Sequence, residues 1–273
     1  MDVFTLFVLP AVAGVGIGIL SGLLGVGGGT IMVPIFRLAF GMSPVVSTAT
    51  SLFAIIPTSV SGAVSHIRHK TCVPSLGIAA GLGGALTSPV GVWLAQISPA
   101  WAIMLAAALI IGWSAVKMLG KAFKMKSKPK DASASAAVAE PADTAPTKLT
   151  RRQLLIGVAI GLVAGLASGY VGVGGGFIMV PLMLSFVGIA MRQASGTSLI
   201  AVMILAIPGA VEQALLGNIN FSAGIAVVVG SIPGAVIGAR LVRIVPERML
   251  RFIFGGFLLV AAALLVLNEF GIL

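Results

Sequence analysis

Ten apolar runs divide this chain, near residues 4–24, 28–41, 45–66, 73–96, 101–119, 153–171, 176–190, 194–216, 222–242 and 249–270. A helix needs about 20 apolar residues to cross about 30 Å of hydrocarbon, and most of the runs reach that length. Two do not. Run 28–41 makes only about 21 Å of helix, and 176–190 is about as short. Each short run follows a glycine-rich stretch, Gly25-Val26-Gly27-Gly28-Gly29 in one case and Gly172-Val173-Gly174-Gly175-Gly176 in the other. Four glycines in five residues do not hold a helix, because glycine loses the most backbone entropy when ordered. In a membrane, non-helical backbone is tolerated only where protein buries it or where it lines a wet cavity. The pattern therefore predicts eight full helices and two short segments, each a broken crossing or a re-entrant piece. A broken crossing is the preferred reading, since five extended residues add up to about 16 Å.

The second five runs repeat the first five at a constant offset of 147 residues. Between Gly18–Pro34 and Gly165–Pro181, twelve of seventeen positions are identical. Thr50-Ser51-Leu52 matches Thr197-Ser198-Leu199, and Gly62-Ala63-Val64 matches Gly209-Ala210-Val211. The chain thus reads as a first membrane repeat over 1–120, a polar linker over 121–150 and a second repeat over 151–273. The linker, rich in Lys, Ala, Ser and Pro, has too few large apolar groups to fold and is expected to be disordered.

Composition agrees with an all-α polytopic membrane protein: 58% of residues are apolar and 9% charged, against roughly 25% charged in a soluble domain. The net charge of +10 does not point to nucleic acid, because Lys and Arg gather between the apolar runs, as in loops beside anionic lipid. With five crossings per half and a cytoplasmic linker, sixteen of the seventeen basic residues fall on the cytoplasmic side, Arg37 being the exception. Four crossings per half would place Arg240, Arg243, Arg248 and Arg251 outside. The charge pattern therefore favours inverted repeats. Met1-Asp2-Val3-Phe4 lacks the positive region of a cleavable signal. Cys72 is the only cysteine, so no internal disulfide is expected.

Few residues could carry chemistry. Unwound backbone ahead of a helix start offers free N–H groups and a positive dipole end to an anion. That reading makes Gly27, Gly28, Gly29 and Thr30, with Gly174, Gly175, Gly176 and Phe177, candidates for a substrate path. The alternative is close packing, which suits Gly14, Gly18, Gly22 and Gly25. Thr50, Ser51, Thr197 and Ser198 open the third run of each half; they either bind anion oxygens or cap helix starts and neighbouring carbonyls. Ser21 and Ser168, just before the breaks, are weaker candidates. Arg37 attracts an anion or snorkels to the outer surface, and Glu212 binds a coupling proton or cation or pairs with a base. His66 and His69, read as flanking Arg68 in a loop, have no acidic companion for a metal. Trp93, Trp101 and Trp113 read as interfacial or lipid-facing. Nucleotide motifs, HExxH and GxSxG are missing, so neither enzymatic chemistry nor a cofactor is expected.

The repeated GxGGGxIMVP stretch, with Gly22 to Pro34, Gly169 to Pro181 and the pairs Thr50-Ser51 and Thr197-Ser198, resembles the TauE/SafE family of sulfite and organosulfonate transporters. The resemblance covers both halves and the linker. It implies transport of sulfite, sulfoacetate or a related sulfonate, in a direction it does not fix, by a chain usually described with about eight helices. The expectation is a secondary transporter in the cell membrane (the inner membrane of a bacterium) whose partners are a small anion, the bilayer and a coupling proton or cation. An anion channel using the same breaks, or a non-transporting membrane scaffold, is the alternative.

Overall fold

Each apolar run folds as a helix. The computed structural model describes residues 9–124 and 149–269, so most of the expected linker lies outside the described residues. The elements of the first half are α1 (Leu9–Leu24), α2 (Gly29–Leu38), α3 (Pro44–Arg68), α4 (Pro74–Ile97) and α5 (Ala100–Lys124). The second half has α6 (Arg151–Val171), α7 (Gly176–Leu182) running into a π-helical turn (Met183–Val187), α8 (Met191–Leu215), α9 (Phe221–Leu241) and α10 (Glu247–Glu269). Local chemistry sets several starts. The Ser43 hydroxyl accepts from the Val46 N–H to open α3, Asn220 does the same for α9 from Ala223, and Thr150 with Gln153 forms a capping box on α6. His66 and Arg68 lie on the last turn of α3 rather than in a loop, and the turn follows at His69 and Lys70.

Among the described residues, six helices, α3, α4, α5, α6, α8 and α9, are long and apolar enough to cross a membrane. Their outer faces carry exposed apolar side chains such as Leu86 and Leu109, which suit lipid. Trp93, Trp101 and Trp113 are exposed on this surface too. The chain is an integral, multi-pass membrane protein.

The halves are interlaced, and glycine decides how closely. Gly14, Gly18 and Gly22 of α1 face the backbone of α9 at Val227, Ser231 and Ala235. At the positions offset by 147, Gly161, Gly165 and Gly169 of α6 face Ala80, Gly84 and Ser88 of α4. Each half thus lends its first helix to the fourth helix of the other, with rising residue numbers on both partners. A Cβ at most of these glycines would collide with backbone rather than with a movable side-chain tip. This is the small-residue packing that lets membrane helices touch where lipid supplies no hydrophobic drive. Helix α3 runs beside α9 in the same sense, through Thr50 with Asn220 and Thr58 with Ser231. It crosses α8 in the opposite sense, Gly62 meeting Leu199 while Gly209 meets Leu52. Helices α5 and α10 pair outside this core, also antiparallel, through Phe123 with Phe252 and Leu119 with Gly255.

A test follows from the contrast between glycines in and out of these seams. Gly165→Ala should lower stability by about 1–3 kcal/mol through overpacking, read as a fall in the detergent melting temperature. Gly112→Ala, at a position with nothing within 4 Å, should leave it unchanged or raise it slightly.

Candidate functional site at the two glycine breaks

Both breaks are turns built on left-handed backbone. Gly25, Gly27 and Gly28 have φ of 76°, 79° and 89°, and Gly172, Gly174 and Gly175 have 74°, 83° and 67°. Only glycine takes these values without strain, so the duplicated spacing in the sequence is a duplicated conformation. After the first turn the chain doubles back beside α1, with Gly28 against Ile17 and Ser21. It passes Ser195 and Ser198 at Gly25 and Val202 at Gly27, following α8 toward the middle of the bundle.

There the two breaks meet. A side chain at Gly29 would run into the Val173 carbonyl 2.6 Å away, and one at Gly176 would run into the Gly25 carbonyl and Val26. Ile55 and its repeat mate Val202 reach both Gly27 and Gly174. The candidate glycines are thus brought together, and each has a conformational or packing reason to be glycine. At the start of α2 the first N–H groups, those of Gly29 and Thr30, have no carbonyl a turn earlier in the helix to bond.

The four candidate hydroxyls are placed just as symmetrically, and they join the halves. Ser51 Oγ donates to the Gly172 carbonyl at 2.8 Å, and Ser198 Oγ donates to the Gly25 carbonyl at 2.7 Å. Each therefore clamps the break of the opposite half. Thr197 Oγ1 accepts the Val73 N–H at 2.9 Å, where α4 begins, and Thr50 Oγ1 accepts the Asn220 N–H at 3.0 Å, where α9 begins. All four are fully buried. Ser51 commits its one proton to a carbonyl and Ser198 shares its proton between the Gly25 and Ser195 carbonyls, whereas the threonines accept and keep theirs.

Other polar groups flank this clamp. His66 is fully buried; its Nε2 donates to the Gly22 carbonyl at 2.8 Å and its Nδ1 faces Thr71 Oγ1 at 2.7 Å. The repeat mates form the matching contact, Asn218 Nδ2 donating to Gln213 Oε1 at 2.8 Å. Arg37, in the last turn of α2, and Glu212, near the end of α8, are partly exposed and far along their helices from the breaks. One carboxylate oxygen of Glu212 is buried with no protein partner. In the turn after α3, burial pushes the Cys72 thiol up to about 11, so it stays protonated. Among the described residues no cluster of His, Cys, Asp and Glu could hold a metal.

Sequence reasoning passed over Ser59. It is fully buried on α3 with an unpartnered Oγ beside Gly27; Ser21, also buried and unpartnered, packs its Cβ against Gly28. Ser59 belongs to no motif and its repeat mate is Ala206, so neither pattern nor duplication marks it.

The family model described as "Sulfite exporter TauE/SafE" matches residues 10–265 of this chain, through both breaks and both clamps. The chain belongs to the TauE/SafE family. Among relatives of this TauE/SafE protein, the "Probable membrane transporter protein YunE" of Bacillus subtilis is 27% identical over 247 residues, 87% of this chain and 89% of its own. YdhB of the same organism, with the same description, is 28% identical over 236 residues, 86% of this chain and 90% of its own. A protein of Xylella fastidiosa, described likewise, is 23% identical over 254 residues, 92% and 91% of the two chains. No solved structure matches the chain. Family membership makes it a membrane transporter.

The clamps give a stability prediction. Ser51→Ala and Ser198→Ala should each cost about 1–3 kcal/mol, because each leaves a buried carbonyl unpaired. The losses should be similar, read as melting temperatures, and Ser75→Ala at an exposed site should have no effect.

Proposed function

We propose that this protein is a secondary transporter for a small sulfur-containing oxyanion, sulfite, sulfoacetate or a related sulfonate, working by alternating access. The observation that carries the proposal is the meeting of the two breaks in the middle of the bundle, each held by a serine of the other half. A contact made of paired halves can rock between two arrangements around one point. The anion would be held there by N–H groups and nearby hydroxyls of the breaks. A helix start supplies roughly half a positive charge, so no intramembrane lysine is required. The family description supports the sulfur-oxyanion class.

Inverted repeats belong to the same proposal, and the packing register supports them. Helix α1 runs with α9 and α9 with α3, while α6 runs with α4; α4 runs with α8, Gly77 meeting Thr197 and Gly81 meeting Ile204. Since α3 and α8 are opposed, the first helices of the two halves point oppositely. The breaks with α2 and α7 then complete crossings, residues 121–150 are cytoplasmic and both termini are outside. Glu212 is proposed as the place for a coupling proton or cation, supported by its unpartnered carboxylate oxygen.

Purified protein in liposomes tests the transport reading. Sulfite or sulfoacetate uptake should saturate and show counterflow, whereas a channel would pass anions without counterflow and a scaffold would move none. Glu212→Gln should remove the response of uptake to a proton gradient while leaving counterflow intact. For topology, a reporter fused after Leu273 should be active only on the outer side.

A further inference from the structure

The two breaks match in backbone and differ in what surrounds them. At the first, three buried hydroxyls have no partner: Ser21, Thr30 and Ser59. Buried hydroxyls in helices usually bond back to a carbonyl three or four residues earlier, as Thr58 does to Ala54 and Ser195 to Met191. These three do not, and an interior hydroxyl without a partner is uncommon enough to need a cause. Ser59 Oγ lies 3.2 Å from where a side chain on Gly27 would begin, and Ser21 lines Gly28. Thr30 sits in the first turn of α2, where its N–H and that of Gly29 precede the first bond of the helix ladder, Ile31 N–H to the Gly28 carbonyl. Three unpartnered hydroxyls therefore belong to the residues around one turn, beside the start of α2.

At the second break the same positions read Ser168, Phe177 and Ala206. Two of the three hydroxyls are gone, and Phe177, fully buried, stands where Thr30 would be. Helix α7 also has only seven residues before the π-helical turn, against ten in α2. Resting on the transport reading, we infer that each chain has a single anion site, at the first break, with Ser59, Thr30 and Ser21 as hydroxyl donors. The second break, which keeps only Ser168 of the three hydroxyls, is the more apolar counterpart against which that site closes. The ligand class is an oxyanion with several acceptor oxygens, because three hydroxyls and a helix start all donate toward it.

Calorimetric titration of the purified full chain with sulfite tests this. The expected stoichiometry is one anion per chain. Ser59→Ala, whose side chain the other half already carries at Ala206, should raise Kd about tenfold or more, the usual scale for a hydrogen bond to a charged group. Thr30→Val, which keeps the shape, should do the same and covers the case in which Ser59→Ala fails to fold. Ser114→Ala removes an unpartnered buried hydroxyl on α5 and should leave Kd unchanged, while Ser168→Ala should matter less than either first-break variant. Two anions per chain, or equal losses from Ser168→Ala and Ser59→Ala, would overturn the single-site inference and leave the transport reading standing. An unchanged Kd in both first-break variants would do so too. A native chain that bound no sulfite and no sulfoacetate would overturn both.

Discussion

In hydrocarbon, every backbone N–H and C=O must find its partner inside the protein, and that constraint governs this molecule. Among the described residues, the long helices meet it mainly by their own ladders. The two breaks cannot, because their left-handed glycines interrupt the ladder and leave carbonyls and N–H groups in the interior. The Gly25 carbonyl is met by Ser198 and the Gly172 carbonyl by Ser51, each from the other half. Neither half could hold its break alone. A buried carbonyl left unpaired costs about 1–3 kcal/mol, so the serines tie the unwound segments to the association of the halves.

Close approach is the other side of the same constraint. Serine hydroxyls reach carbonyls across the interface only if helix backbones nearly touch, and glycines on α1, α6 and their partners allow that. The glycines in the breaks and those in the seams thus answer two different needs. The first need φ values that other residues resist, and the second need the absence of a Cβ beside backbone. Gly25 has both requirements, since its φ is 76° and its Cβ would meet Ser195 and Ser198.

How much of this could be read from residues alone depends on where each residue's partner lies. The duplication was legible because it is a pattern within the chain, and the ten segments followed from run length and glycine content. The breaks were legible because glycine acts locally. What Thr50, Ser51, Thr197 and Ser198 do was not legible. Their partners lie 170, 121, 124 and 173 residues away, so a capping role and an anion role looked alike. His66 read as loop because it and His69 flank the charged Arg68, whereas its ring turns inward onto the Gly22 carbonyl. Ser59 was hidden by asymmetry, since a repeat comparison marks what two halves share.

Symmetry in the backbone and asymmetry in the lining are compatible for an electrostatic reason. Two equivalent anion sites at a shared contact would hold two like charges close together in a medium poorer than water. At a separation on the order of 10 Å and an effective dielectric of about 20, two unit anions repel by about 1.7 kcal/mol. A second charge would thus bind more than tenfold more weakly than the first, for the same donors. A duplicated frame gains nothing from a second set of hydroxyls and would carry them as unpaired polar groups whenever the first site was filled. Replacing two of them by Ala206 and Phe177 lightens that burden and leaves the second break more apolar, with Ser168 as its remaining unpartnered hydroxyl. In the proposed transporter, the matched turns would supply the hinge geometry, and the unmatched side chains would decide which of the two holds the anion.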